Sequence, residues 1–232
     1  MVDPLLDDRS LLRLLAWSSP SFPIGAFAFS HGLEAAVEEG LVTDAASLLT
    51  YLRQACRHGS GFADLVLMAQ AYRRADDPDR LTELIEWAAA LRGTAELALE
   101  AGMQGGAALR TLRLAWPHPA LDGLAELARQ LAVEPVLPVV NGMAAWAHGL
   151  PLPQACLAQL AAFSANLVSA GVRLVPLGQT DGQRVTASLE QDLPAVVADA
   201  LATPLEELAT STPMIDLLSI AHETQYTRLF RS

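Results

Sequence analysis

A chain of 232 residues with a formal charge of −11 and only two cysteines is long enough to bury a core without a covalent staple, removing roughly 70% of its unfolded surface from water. The acidic balance disfavours nucleic acid, because phosphates need a basic face to meet. Every basic residue is an arginine, which excludes the lysine of a Walker A loop and any Schiff-base chemistry.

In chain order, the first ten residues, MVDPLLDDRS, are acidic and lack the basic start and apolar run of a secretory signal, so a cytoplasmic protein is expected. Apolar residues then recur at helical spacing over 10–17, 45–56, 81–91, 95–114, 154–175 and 194–202. Thr43 with Asp44, Asp79, and Thr94 with Glu96 mark helix starts, and Gly40, Gly59 and Gly93 mark stops. Alanine is abundant and runs of β-branched residues are scarce, so the pattern predicts a single all-α domain over 1–232. Its helical-bundle core spans 8–212, and a docking segment spans 213–232.

From Pro135 to Val172 there is no charged side chain. Gly149, Pro151 and Pro153 interrupt this stretch, and polar residues including Asn141, Gln159 and Asn166 punctuate it, so it reads as two helices buried in protein rather than a membrane span. Gly102, Gly105 and Gly106 indicate close helix approach, and together with the uncharged run they suggest self-association.

The chemically suggestive stretch is SFPIGAFAFSHGLE, Ser21 to Glu34. A nucleophile elbow would need glycine where Ala28 stands. Ser30 is placed as a helix N-cap, with His31, Glu34 and Glu38 then on one solvated face. A metal site on that face is the competing reading, and a small helical metalloenzyme using His31, Glu34 and His222 is the alternative function. Cys56 and His58, two apart, diverge on a helix and cannot share an ion there, so Cys56 and Cys156 read as buried thiols. The sequence closes on HETQYTRLFRS, where Tyr226, Leu229 and Phe230 would gather on one face of a helix.

SFPIGAFAFSHGLEAAVEEGLV, SAGVRLVPLGQTDGQR and HETQYTRLFRS, in that order, resemble the UreF family of urease accessory proteins, from about Leu11 onwards. The resemblance implies a non-catalytic, all-α, dimeric maturation factor that bridges UreD (UreH in some organisms) and the GTPase UreG and couples GTP hydrolysis to nickel delivery into apo-urease. It implies no cofactor of its own, since the complex handles nickel and UreG binds GTP, and no nucleic-acid or membrane partner. Ser30, His31, Gly32, Leu33 and Glu34 match the first motif. Arg173, Pro176, Gly178, Gln179, Gln183 and Arg184 match the second. His222, Glu223, Tyr226, Arg228, Leu229 and Phe230 match the third and, with Arg231, form the expected contact set for UreD. Ser21 to Glu34 would then anchor this tail, with Arg228 and Arg231 pairing with carboxylates such as Glu34 while Phe230 packs on the phenylalanine cluster.

Overall fold

The computed structural model describes residues 6–232, so Met1 to Leu5, half of the stretch that reads as lacking a signal, lie outside the described residues. The described chain is all-helical, with twelve α-helices, two 3₁₀ turns and no strand. In order these are α1 (Asp8–Trp17), α2 (Leu33–Glu38), α3 (Ala45–His58), α4 (Ser60–Arg73), α5 (Pro78–Ala90), α6 (Ala95–Ala115), α7 (Pro119–Leu131), α8 (Leu137–Ala147), α9 (Leu152–Leu174), α10 (Gln179–Leu189), α11 (Leu193–Ala202) and α12 (Pro213–Glu223).

The start signals act as expected where a side chain can reach the first turn. Asp44 accepts the Ser47 N–H at 2.8 Å and Ser47 Oγ accepts the Asp44 N–H at 3.1 Å, a reciprocal cap on α3. Thr94 caps α6. At α5 the cap is Asp77, with Pro78 as the first helical residue, rather than Asp79.

The uncharged run becomes α8 and α9, separated by the turn at Gly149, whose φ is +65°. α8 packs against α4, α6, α7 and α9. Close approach requires missing side chains at two points. A Cβ on Gly142 would lie 2.3 Å from the Met68 carbonyl oxygen in α4. One on Gly105 would lie 1.9 Å from the Pro135 carbonyl oxygen, just ahead of α8. Gly105 is therefore used in packing within one chain and Gly106 meets the Glu134 side chain, so these two do not argue for self-association, while Gly102 makes only an ordinary contact with Glu134. α9 is long and apolar enough to cross a membrane, and in this fold it packs against α2, α3, α4, α8, α10 and α11. Two of its polar residues bond inside the protein. Asn141 donates to Gln159 at 2.5 Å, and Asn166 reaches the Phe29 carbonyl at 3.4 Å.

Candidate functional site

Ser30 does not open a helix in the expected way. His31 and Gly32 adopt left-handed backbone conformations, with φ of +59° and +77°, and α2 starts only at Leu33. At Gly32 a Cβ would sit 3.2 Å from the Ser219 nitrogen and 3.3 Å from the Ile215 carbonyl oxygen, so glycine serves both the backbone angle and the crossing of α2 over α12. The turn at His31 is pinned by Tyr51, whose hydroxyl donates to the His31 carbonyl at 2.8 Å. Ser30 instead receives the tail: its backbone N–H donates to the Ser232 carbonyl at 2.6 Å and its hydroxyl donates to the same oxygen.

Glu34 is buried, not on a solvated face. Its carboxylate accepts the backbone N–H of Leu229 at 2.6 Å and of Phe230 at 2.9 Å, and faces His222 Nε2 at 3.0 Å. The other imidazole nitrogen, Nδ1, lies 2.8 Å from a carboxylate oxygen of Glu96, and Arg228 donates to the same carboxylate at 3.1 Å. Each imidazole nitrogen of His222 thus faces a buried carboxylate, and Arg228 places a positive charge beside Glu96. Beside this group Glu100 accepts from the Ser232 hydroxyl at 3.0 Å and from Gln104 at 3.1 Å, and lies 3.4 Å from His31 Nδ1.

The expected pairing of Arg228 and Arg231 with Glu34 is thus corrected. Glu34 holds the tail through main-chain N–H groups, Arg228 turns to Glu96, and Arg231 contributes a backbone N–H to the Ala28 carbonyl at 2.8 Å. The expectation of one helical face carrying three anchors is corrected too. α12 ends at Glu223, because the tail's N–H groups are drawn to Glu34 and Ala28 instead of to a helical ladder. Phe230 is 4% exposed, under the guanidinium of Arg173, which lies 4.3 Å from the ring centroid. Leu229 is 64% exposed and Tyr226 fully so.

Arg173 also donates to the Phe27 carbonyl at 3.1 Å, and its partial burial holds the guanidinium below the usual arginine range. Gln179, Gln183 and Arg184 lie apart from the tail, exposed on α10, where Arg184 pairs with Asp181 at 2.8 Å. Glu223 is exposed. The three residues of the metalloenzyme alternative do not converge: Glu34 and His222 meet, whereas His31 turns to Glu100 and stacks edge-on against Phe163, 5.4 Å between centroids. Among the described residues no group of three or more His, Cys, Asp or Glu is placed to hold a metal ion.

Sequence reading missed Glu96 and Glu100 as partners of the tail, and Gln104 as the residue that donates to Glu100 behind it. Their signal is spacing: at i, i+4 and i+8 they place a polar row along the buried face of α6. It also missed Met214, Leu217 and Ile220, which stand exposed along α12.

Fold and site together define a helical scaffold in which buried carboxylates and histidines hold a peptide segment in place. A family model described as UreF matches residues 42–190, between the amino-terminal motif and the tail. Full-length relatives cover those ends as well. A urease accessory protein UreF from Granulibacter bethesdensis is 47% identical over 227 residues, covering 97% of this chain and 95% of the relative. One from Rhodopseudomonas palustris is 45% identical over 231 residues, 99% of this chain and 95% of its own. The urease accessory protein UreF 1 of Brucella canis is 42% identical, covering all of this chain and 99% of its own. The chain belongs to the UreF family, the non-catalytic urease accessory proteins that take part in urease maturation.

Proposed function

We propose that this chain acts in urease maturation as the bridge between UreD/UreH and the GTPase UreG, coupling GTP hydrolysis by UreG to delivery of nickel into apo-urease, as a homodimer in the cytoplasm. Nickel is cargo of the assembly, and GTP belongs to UreG, in keeping with a chain that has no lysine to hold phosphates. The segment 213–232 is its docking element for UreD. One observation carries this reading: Tyr226 and Leu229 project from a tail whose neighbouring backbone is clamped by Glu34. A held segment pays less conformational entropy on binding than a free one, and an exposed aromatic anchor is the residue type that dominates interfaces. The apolar row Met214, Leu217 and Ile220 extends the same element.

The test is co-purification with UreD. Removing residues 227–232 is a poor probe, because it also strips Phe230 and Ser232 from the core. The double variant Tyr226→Ala, Leu229→Ala changes only exposed side chains. It is expected to lose capture of UreD while keeping the wild-type melting temperature. Undiminished capture would overturn the assignment of the tail.

A further inference from the structure

The first helix is lightly attached. α1 makes its main helix contact with α9, and although Ser10 and Leu14 are buried, Leu11, Leu12 and Leu15 stand exposed along it. Its other hold is on His148, the residue that caps the carboxyl end of α8. Arg13 Nη1 reaches the His148 carbonyl at 3.5 Å, and the Trp17 ring packs edge-on against the His148 imidazole at 5.5 Å and against Trp116 at 5.8 Å. His148 Nε2 lies 3.1 Å from the Trp116 carbonyl oxygen. A carbonyl only accepts, so this nitrogen carries the proton of the neutral ring and Nδ1 is the bare one.

A second proton on His148 enters surroundings that suit only the neutral ring. The charged and titratable groups that face it are Arg9 and Arg13 from α1 and the His118 imidazole from the turn before α7, its ring centre 5.7 Å away. α8 carries no charged side chain of its own, and no carboxylate is among the groups that act on the imidazole. His118 accepts the Ala120 N–H on Nδ1 at 3.2 Å, a bond that caps α7 and that only an unprotonated nitrogen can make. Partial burial and then Arg13 hold His148 below its ordinary value of 6.5, while the Trp116 carbonyl pulls the other way and does not prevail. We propose that α1 is a strap released by acid: a proton on His148 sets like charge against Arg13 and Arg9, and α1 leaves the end of α8, taking Trp17 away from Trp116. The attached form is fully favoured above pH 6.5 and loses ground as pH falls below that value, because only detachment lets His148 hold its proton as it would in water.

The test is amide hydrogen exchange of the full chain at about pH 7.5 and about pH 5, expressed as protection factors corrected for the pH dependence of intrinsic exchange. At pH 5 a detached His148 with the ordinary value of 6.5 favours its charged form about 30-fold, which bounds what one proton can do. The amides of residues 11–17 are expected to be less protected than those of α4 at the higher pH, and to lose a further threefold to 30-fold, roughly, at the lower. Circular dichroism is expected to show the helix content retained at both. His148→Gln keeps a donor for the Trp116 carbonyl and cannot take a charge, so protection of its α1 is expected to be the same at the two pH values. Should that variant fail to fold, His148→Asn, uncharged as well, is measured in its place. Protection in α1 equal to that in α4 would show that this helix opens only with the whole fold, and would overturn the proposal. A loss in α1 below about threefold, or a loss undiminished in a folded His148 variant, would overturn it as well.

Discussion

The contact of α8 with α4 and α6 and the clamp around Glu34 both bury backbone at short range, by opposite means. At α8 two glycines remove side chains so that helices touch main chain to main chain, and nothing ionisable is involved. At the clamp three glutamates, two histidines and an arginine are brought together across almost the full length of the sequence, and most of them are buried. The first region fails by collision when an atom is added. The second fails by an unpaired charge when one is taken away. An interior assembled by apolar packing tolerates loss of shape gradually, whereas a buried ionic network is stable only when complete.

The largest expected effect comes from breaking the clamp at its centre. Removing His222 by His222→Ala leaves Glu34 and Glu96 buried without their shared partner, and urea denaturation is expected to show about 3–5 kcal/mol of lost stability. A loss below about 1 kcal/mol would show that solvent or rearrangement replaces the imidazole, and that the network is not what holds the tail.

At α8 the comparison takes a signed form. Gly142→Ala forces a Cβ against the Met68 carbonyl and is expected to cost about 1–3 kcal/mol by overpacking. Gly123→Ala, in α7 with open space around the added carbon, is expected to stabilise by about 0.5–1 kcal/mol through helix propensity alone. Paired melting curves check both, and equal signs would contradict the geometry of the α4–α8 contact.

These two regions also differ in how far they could be read ahead of the structure. The α6 glycines, the uncharged run and the Asp44 and Thr94 caps are local patterns, visible within a few residues, and the helices follow from them. The clamp is not local. Glu34 meets tail backbone 195 and 196 positions away, and main-chain N–H groups carry no sequence signature. Ser30 and Glu34 could be singled out as tail anchors only through the motifs that resemble the UreF family, and even so the bonding partners came out wrong. Reading His31 and Glu34 as a solvated helix face failed because a helix start offers no sign of a segment that returns to cover it.

A third expectation concerns the two cysteines, one on either side of the α8 contact in sequence. Burial pushes the thiols of Cys56 and Cys156 up to about 12 from an ordinary value near 9. In the unfolded chain each thiol ionises above pH 9, while in the folded chain it stays protonated, so stability is full below pH 9 and falls as pH rises toward 12. At pH 10 the loss is about 1.4 kcal/mol per thiol. A Cys56→Ala, Cys156→Ala chain is expected to show a correspondingly flatter alkaline limb. Neither thiol is expected to react with a disulfide reagent at pH 8 until the chain unfolds.

The smallest expected stability effect is at the tail's exposed residues. Tyr226→Ala is expected to change stability by less than about 0.5 kcal/mol, whereas Phe230→Ala, three positions beyond the next residue and buried under Arg173, is expected to cost about 3 kcal/mol or more. Comparable losses from both would erase the division between a held and a displayed part of the tail.

That division rests on Glu34 ordering the tail before any partner arrives, and amide hydrogen exchange on the free chain tests it most directly. The N–H groups of Leu229 and Phe230 are expected to exchange slowly, with protection approaching that of α12, and in Glu34→Ala both are expected to lose most of that protection. Exchange of these two amides at the rate of an unstructured peptide in the wild-type chain would contradict the account, and would mean that the clamp does not hold the tail.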